Sequence, residues 1–164
     1  MDPVYTLAWH QTACRVMPRD LPMAAAELLA AGEDSPALRE LAGRSGRGLA
    51  AEMIELLHEA LAELGLPVPT WETAHRCELR EAAERVAAGE VTPEELVEEL
   101  QVDRDAEFPE AEGRFANLYI EVDCGGCLED LGVERLADWT ARVRSAAAEL
   151  ASAADDPRVG PARL

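Results

Sequence analysis

The chain has 164 residues, and its composition is that of a strongly acidic helical protein. Acidic residues number 33 against 15 basic ones, which gives a formal net charge of −18, and every basic residue is arginine. A length of this order suits one domain with a real core. Because the chain is rich in alanine, leucine and glutamate, and only 4% of it is aromatic, we predict an all-α domain.

The charge argues against two classes of partner. Nonspecific binding to nucleic acid and to anionic membranes relies on basic residues meeting phosphate, which this composition opposes. The start, Met-Asp-Pro-Val-Tyr, lacks the basic region and apolar run of a signal peptide, and no stretch reaches the roughly 18–20 apolar residues that a membrane helix needs. We therefore expect a cytoplasmic protein that binds neither nucleic acid nor membrane directly.

Apolar spacing and stop signals divide the first part of the chain into three helices. The first is predicted over residues 4–17. The second runs from Leu21 to Gly32 with Asp20 as its cap, and a short third helix opens at Ser35 and Pro36.

We expect the fold to be organised around the fourth helix, Leu49 to Leu64. Glutamates recur on one side of it at steps of three and four, and the opposite side is apolar and must be buried. Gly65 supplies a left-handed cap, and Pro67 prevents the helix from resuming. The glutamates are Glu52, Glu55, Glu59 and Glu63, and the predicted apolar stripe is Ala50, Met53, Ile54, Leu57, Leu61 and Leu64.

Three further helices are predicted in the second half. Thr70 caps a fifth helix that ends at Gly89. Thr92 is followed by a proline at the first helical position and by Glu95, which completes a capping box for a sixth helix. The last helix carries Leu136, Trp139, Val143, Ala146, Ala147 and Leu150 at helical spacing.

Residues 115–123 fit two kinds of secondary structure. Phe115, Leu118, Tyr119 and Val122 match a helix, whereas alternation over 118–122 matches a short strand near 117–123. We favour the helix because no second strand is evident to pair with it. The complete prediction is a single-domain irregular bundle of about six to eight helices over 1–154, with sub-parts 1–66 and 67–154, followed by a flexible tail over 155–164.

Negative charge is concentrated between Glu90 and Glu112, where ten acidic residues face a single base, Arg104. The part from 101 to 113 lacks helical periodicity and contains Pro109, so we predict an acidic loop there. Opposite charge speeds encounter and disfavours wrong partners, and this concentration exceeds what solubility requires. We therefore predict a surface for a basic protein, formed by Glu94, Glu95, Glu98, Glu99, Asp103, Asp105, Glu107, Glu110 and Glu112.

The four cysteines, which we expect to be mostly reduced in a cytoplasmic protein, suggest an alternative function. Cys124 and Cys127 are separated by two glycines, a spacing that suits either a metal such as zinc or a small redox disulfide. His75 and Cys77 would supply a second pair of ligands. Side chains two residues apart on a helix point about 200° away from each other, so we interpret the cysteines as incidental and expect no cofactor.

Catalytic and cofactor-binding motifs are not evident in the sequence. It contains no serine-nucleophile motif, phosphate-binding glycine loop or histidine–glutamate metal helix. We therefore predict a non-enzymatic protein-binding domain of the kind found among immunity proteins, antitoxins and DNA mimics. The alternative is a small zinc-binding or thiol-redox protein that uses Cys124 and Cys127.

Several segments resemble those of small acidic all-helical proteins of unknown function from high-GC bacteria. They are AAGEDSPALRELAG from Ala30, AAGEVTPEEL from Ala87, the acidic loop, FANLYIEVD from Phe115 and RSAAAEL from Arg144. Together they cover about half of the chain. The resemblance implies an all-helical fold and no particular activity.

Overall fold

The computed structural model describes residues 2–100, 102–122, 128 and 131–158. These residues form eight α-helices, one short 3-10 helix (Pro18–Asp20) and no β-strand, so the predicted all-α fold is confirmed. None of the described helices is both long and apolar enough to cross a bilayer. The α-helices are α1 (Pro3–Thr12), α2 (Leu21–Ala30), α3 (Pro36–Ala42), α4 (Ala50–Glu63), α5 (Trp71–Ala87), α6 (Pro93–Glu99), α7 (Glu110–Ile120) and α8 (Gly132–Ser152).

Backbone contacts divide the chain into two compact units. The first unit comprises residues 1–75 and 157–164, and the second comprises residues 76–156. The prediction of one domain over 1–154, with sub-parts 1–66 and 67–154, stays a prediction.

Helix α4 organises the first unit, where it packs against α1, α3 and the 3-10 helix. Its buried side consists of Met53, Leu56, Leu57, Ala60 and Leu61. The stripe is rotated slightly from the predicted one, because Leu56 and Ala60 join it. Of the predicted members, Ala50 at the first helical position is exposed, while Ile54 and Leu64 are half-buried.

The first turn of α3 is capped by a residue of α4. Pro36 has no N–H, and the backbone N–H of Leu38 donates to Ser35 Oγ at 3.2 Å. The remaining donor, the N–H of Ala37, bonds to Glu63 Oε2 at 2.9 Å. Because unpaired N–H groups at a helix start are costly when buried, Glu63 ties α3 to the end of α4.

Three of the described helices end at a glycine in the left-handed region. Gly32, Gly65 and Gly89 have φ values of 99°, 71° and 72°. After each of them, the next N–H reaches back five residues, as Leu66 does to the carbonyl of Leu61 at 2.8 Å. This is the Schellman arrangement, which satisfies carbonyls that the helix leaves open.

Helix α1 ends in the same way without a glycine, and it is shorter than predicted. The N–H of Arg15 donates to the His10 carbonyl at 2.8 Å, and the N–H of Cys14 donates to the Gln11 carbonyl at 3.0 Å. Cys14 occupies the left-handed position with φ of 59°. The prediction of a helix over 4–17 was wrong at its end because no glycine marks this reversal.

The second unit has one core, contributed by α5, α6, α7 and α8. Phe115, Tyr119 and Trp139 are its largest residues, and their rings meet edge to face. Residues 110–120 are helical, so α7 confirms the helical interpretation over the strand in that part and leaves the acidic loop shorter than 101–113. The indole N–H of Trp139 donates to the Leu118 carbonyl at 2.8 Å, which satisfies an open carbonyl in the last turn of α7.

Replacing Leu57 with alanine should lower the free energy of unfolding by about 2–5 kcal/mol, because the side chain is fully buried and its removal leaves a cavity. Urea unfolding measures the change. Met23→Ala on α2 is the matched control, since this side chain is exposed and should change stability by less than about 0.5 kcal/mol. Equal effects of the two substitutions would contradict the role of α4.

Replacing Cys14 with glycine should raise the free energy of unfolding by about 1 kcal/mol, because an L-residue in the left-handed region costs roughly 1–2 kcal/mol that glycine avoids. Cys14→Ala is the control, because it removes the same thiol but keeps the Cβ atom. If urea unfolding finds the alanine variant as stable as the glycine variant, backbone strain at residue 14 is not the cause.

Candidate functional site

Helix α6 begins with the capping box that the sequence predicts. The Thr92 hydroxyl accepts from the N–H of Glu95 at 3.2 Å, and Glu95 Oε2 accepts from the N–H of Thr92 at 2.9 Å. The Thr92 hydroxyl also donates to Glu95 Oε2 at 2.9 Å. The two bonds to this carboxylate, chiefly the one from the backbone N–H of Thr92 and secondly the one from its hydroxyl, lower the pKa of Glu95. The acidic start of α6 is therefore held in a fixed conformation.

The carboxylates of α6 divide between its two sides. Pro93 and Leu96 are buried, so the opposite side of the helix carries Glu95, Glu98 and Glu99, which are all exposed. Glu94 lies at the boundary, half-buried, where it accepts a hydrogen bond from the Thr140 hydroxyl of α8. One side of α6 is thus packed against the core of the second unit, and the exposed residues of its other side are all glutamates.

Some of these exposed carboxylates already have basic partners. Glu99 bonds to Arg85 of α5 at 2.9 Å, and Glu110 lies 3.4 Å from Arg114 one turn later. Exposed pairs of this kind contribute little to stability, but they reduce the charge available to another molecule.

Three exposed carboxylates of the predicted binding surface have no hydrogen-bonded or ion-paired partner within the described parts of the chain: Glu98, Asp105 and Glu107. Asp103 is also exposed, and its side chain accepts from the N–H of Asp105 at 3.0 Å. This Asx-type bond holds the turn after α6 in place. None of these three carboxylates therefore forms an ion pair with a described residue.

Glu112, which the sequence assigned to the binding surface, is not on the surface. Only 2% of the residue is exposed, and its carboxylate accepts from Arg76 Nε at 2.8 Å and from Arg76 Nη2 at 3.0 Å. Arg76 also bonds to Asp155 at 2.8 Å. The bonds to Glu112, followed by the bond to Asp155, raise the pKa of Arg76. Glu112 is an internal counter-ion, and we remove it from the candidate site.

Arg80, one turn after Arg76 on α5, holds the chain where it leaves α8. Its guanidinium donates to the carbonyls of Ala153 and Asp155, and Nε lies 3.6 Å from Asp156 Oδ2. The Ala153 carbonyl belongs to the residue that ends α8. Residues 155 and 156, predicted to start a flexible tail, are thus bonded to α5, and nothing in the sequence pattern signalled these contacts.

The alternative metal site has only two of its four residues in the described structure. His75 and Cys77 are both buried on α5, and the His75 ring contacts that of Trp71 with centroids 4.5 Å apart. Cys124 and Cys127 lie outside the described residues. Within the described ranges, no three His, Cys, Asp or Glu side chains are grouped so that they could hold a metal ion.

A cleft of about 500 Å³, which the sequence did not predict, lies between the end of α7 and the first three turns of α8. Its walls include Val122 and Trp139, with charged residues along α8. Arg142 donates to both oxygens of Glu121, at 3.1 and 3.0 Å, and lies 3.8 Å from Asp138. The cleft is therefore lined by charges of both signs, and Arg142 is paired within it.

Replacing Glu112 with glutamine should lower the free energy of unfolding by about 3–5 kcal/mol, because it leaves the guanidinium of Arg76 without its buried counter-ion. Chemical unfolding measures the loss. Glu107→Gln makes the same chemical change at an exposed residue with no described partner, and it should change stability by less than about 0.5 kcal/mol. A Glu112 variant as stable as the Glu107 variant would overturn the buried pair.

The carboxyl group of Glu95 should titrate below the ordinary pKa of glutamate, because its ionised form accepts the bonds from Thr92. Carbon-13 NMR of the carboxyl group follows the titration. Since the folded-state pKa is lowered, the stabilisation is complete above the ordinary pKa and is lost as the pH falls through the lowered one.

Thr92→Ala should raise the pKa of Glu95 part of the way back, because the hydroxyl bond is lost while the backbone N–H remains. Thr92→Ser keeps the hydroxyl and should leave the pKa low. An ordinary pKa for Glu95 in the parent protein would mean that the capping box does not persist in solution.

Comparisons with known proteins give no match to a family model, to a curated protein or to a solved structure.

Proposed function

We propose that the chain is a non-enzymatic binding domain that docks with a basic protein through the exposed carboxylates of the segment from Glu95 to Glu110. The observation that carries the proposal is the concentration in one acidic segment of Glu98, Asp105 and Glu107, three exposed carboxylates that have no described hydrogen-bonded or ion-paired partner. These three residues contrast with Glu112 of the same acidic stretch, whose carboxylate is used inside the fold by its pair with Arg76.

The same segment supplies charges that are held in place. Glu95 is fixed by the capping box, and Glu94 anchors the other side of α6 to Thr140 of α8. A preorganised set of charges loses less side-chain and backbone entropy when a partner binds. Complementary charge then raises the association rate and disfavours acidic competitors. An immunity protein, an antitoxin or a DNA mimic would use its surface in this way.

The test compares two triple variants that carry the same change in net charge. Glu98→Gln, Asp105→Asn and Glu107→Gln together remove the charges of the three carboxylates. The control variant combines Glu27→Gln, Glu55→Gln and Glu59→Gln, three exposed residues of α2 and α4 with no described partner. Both variants should keep the helical circular dichroism spectrum, because none of the six side chains is buried.

A partner is first captured from the source cell with the parent protein, and its association rate is then measured by surface plasmon resonance. We expect the first variant to associate on the order of tenfold more slowly at low salt, with the control near the parent rate. The parent rate should fall as salt rises, since the Debye length shrinks from about 10 Å at 0.1 M to about 3 Å at 1 M.

Two outcomes would overturn the proposal. If the first variant associates as fast as the parent at low salt, the three carboxylates do not steer binding. If the control slows association equally, overall charge is responsible and the segment has no special role. The zinc-binding or thiol-redox alternative stays a prediction, because Cys124 and Cys127 lie outside the described residues.

A further inference from the structure

We draw no further inference here: the strongest candidate, the cleft between the C-terminal end of α7 and the first three turns of α8, is joined at Val122 and Leu131 to a segment that the structure describes only at Leu128, and nothing in the described residues shows what covers it.

Discussion

The second unit depends on the pairing of two arginines that α5 carries one turn apart. No residue from Arg76 to Val86 is exposed, and a buried guanidinium without a partner would cost several kcal/mol. Arg76 finds its counter-ion on α7, and Arg80 finds carbonyl oxygens where α8 ends. The contacts of the two side chains therefore fix two other elements against the same helix, so α5 acts as the scaffold of this unit.

These contacts suit arginine better than lysine. Arg76 uses Nε and Nη2 on one carboxylate, while the same Nη2 reaches a second carboxylate. Arg80 directs its two terminal nitrogens to two different carbonyls. A single ammonium group could replace only part of either set, because its donors diverge from one nitrogen. The chain contains no lysine, and at positions 76 and 80 arginine makes contacts that lysine could not reproduce.

The sequence predicted the parts of the fold that depend on neighbouring residues. These parts are local and can be recognised from their residue types. They are the capping box at Thr92, the helix start at Ser35 and the helix ends at Gly32, Gly65 and Gly89. Helix α1 was mispredicted because Cys14 adopts a conformation that its side chain does not favour.

Tertiary pairing accounts for what the sequence could not predict at the candidate site. Glu112 looks like its acidic neighbours in sequence, but its partner is 36 residues away on α5. The inward positions of Arg76 and Arg80 on α5 likewise depend on partners that are distant in sequence. Which carboxylates remain without a described partner is therefore a property of the fold, and only the overall acidity of the segment could be read from the residues.

The positions of the three tryptophans allow the unfolding of each unit to be followed separately by tryptophan fluorescence. Trp9 is buried in the first unit and Trp139 in the second, while Trp71 is about half exposed. A Trp71→Phe background would leave one buried indole in each unit, and the emission of a buried indole shifts to longer wavelength when water reaches it. Variants that retain either Trp9 or Trp139 would then report unfolding unit by unit. Coincident midpoints would identify one cooperative domain, and separate midpoints would identify two.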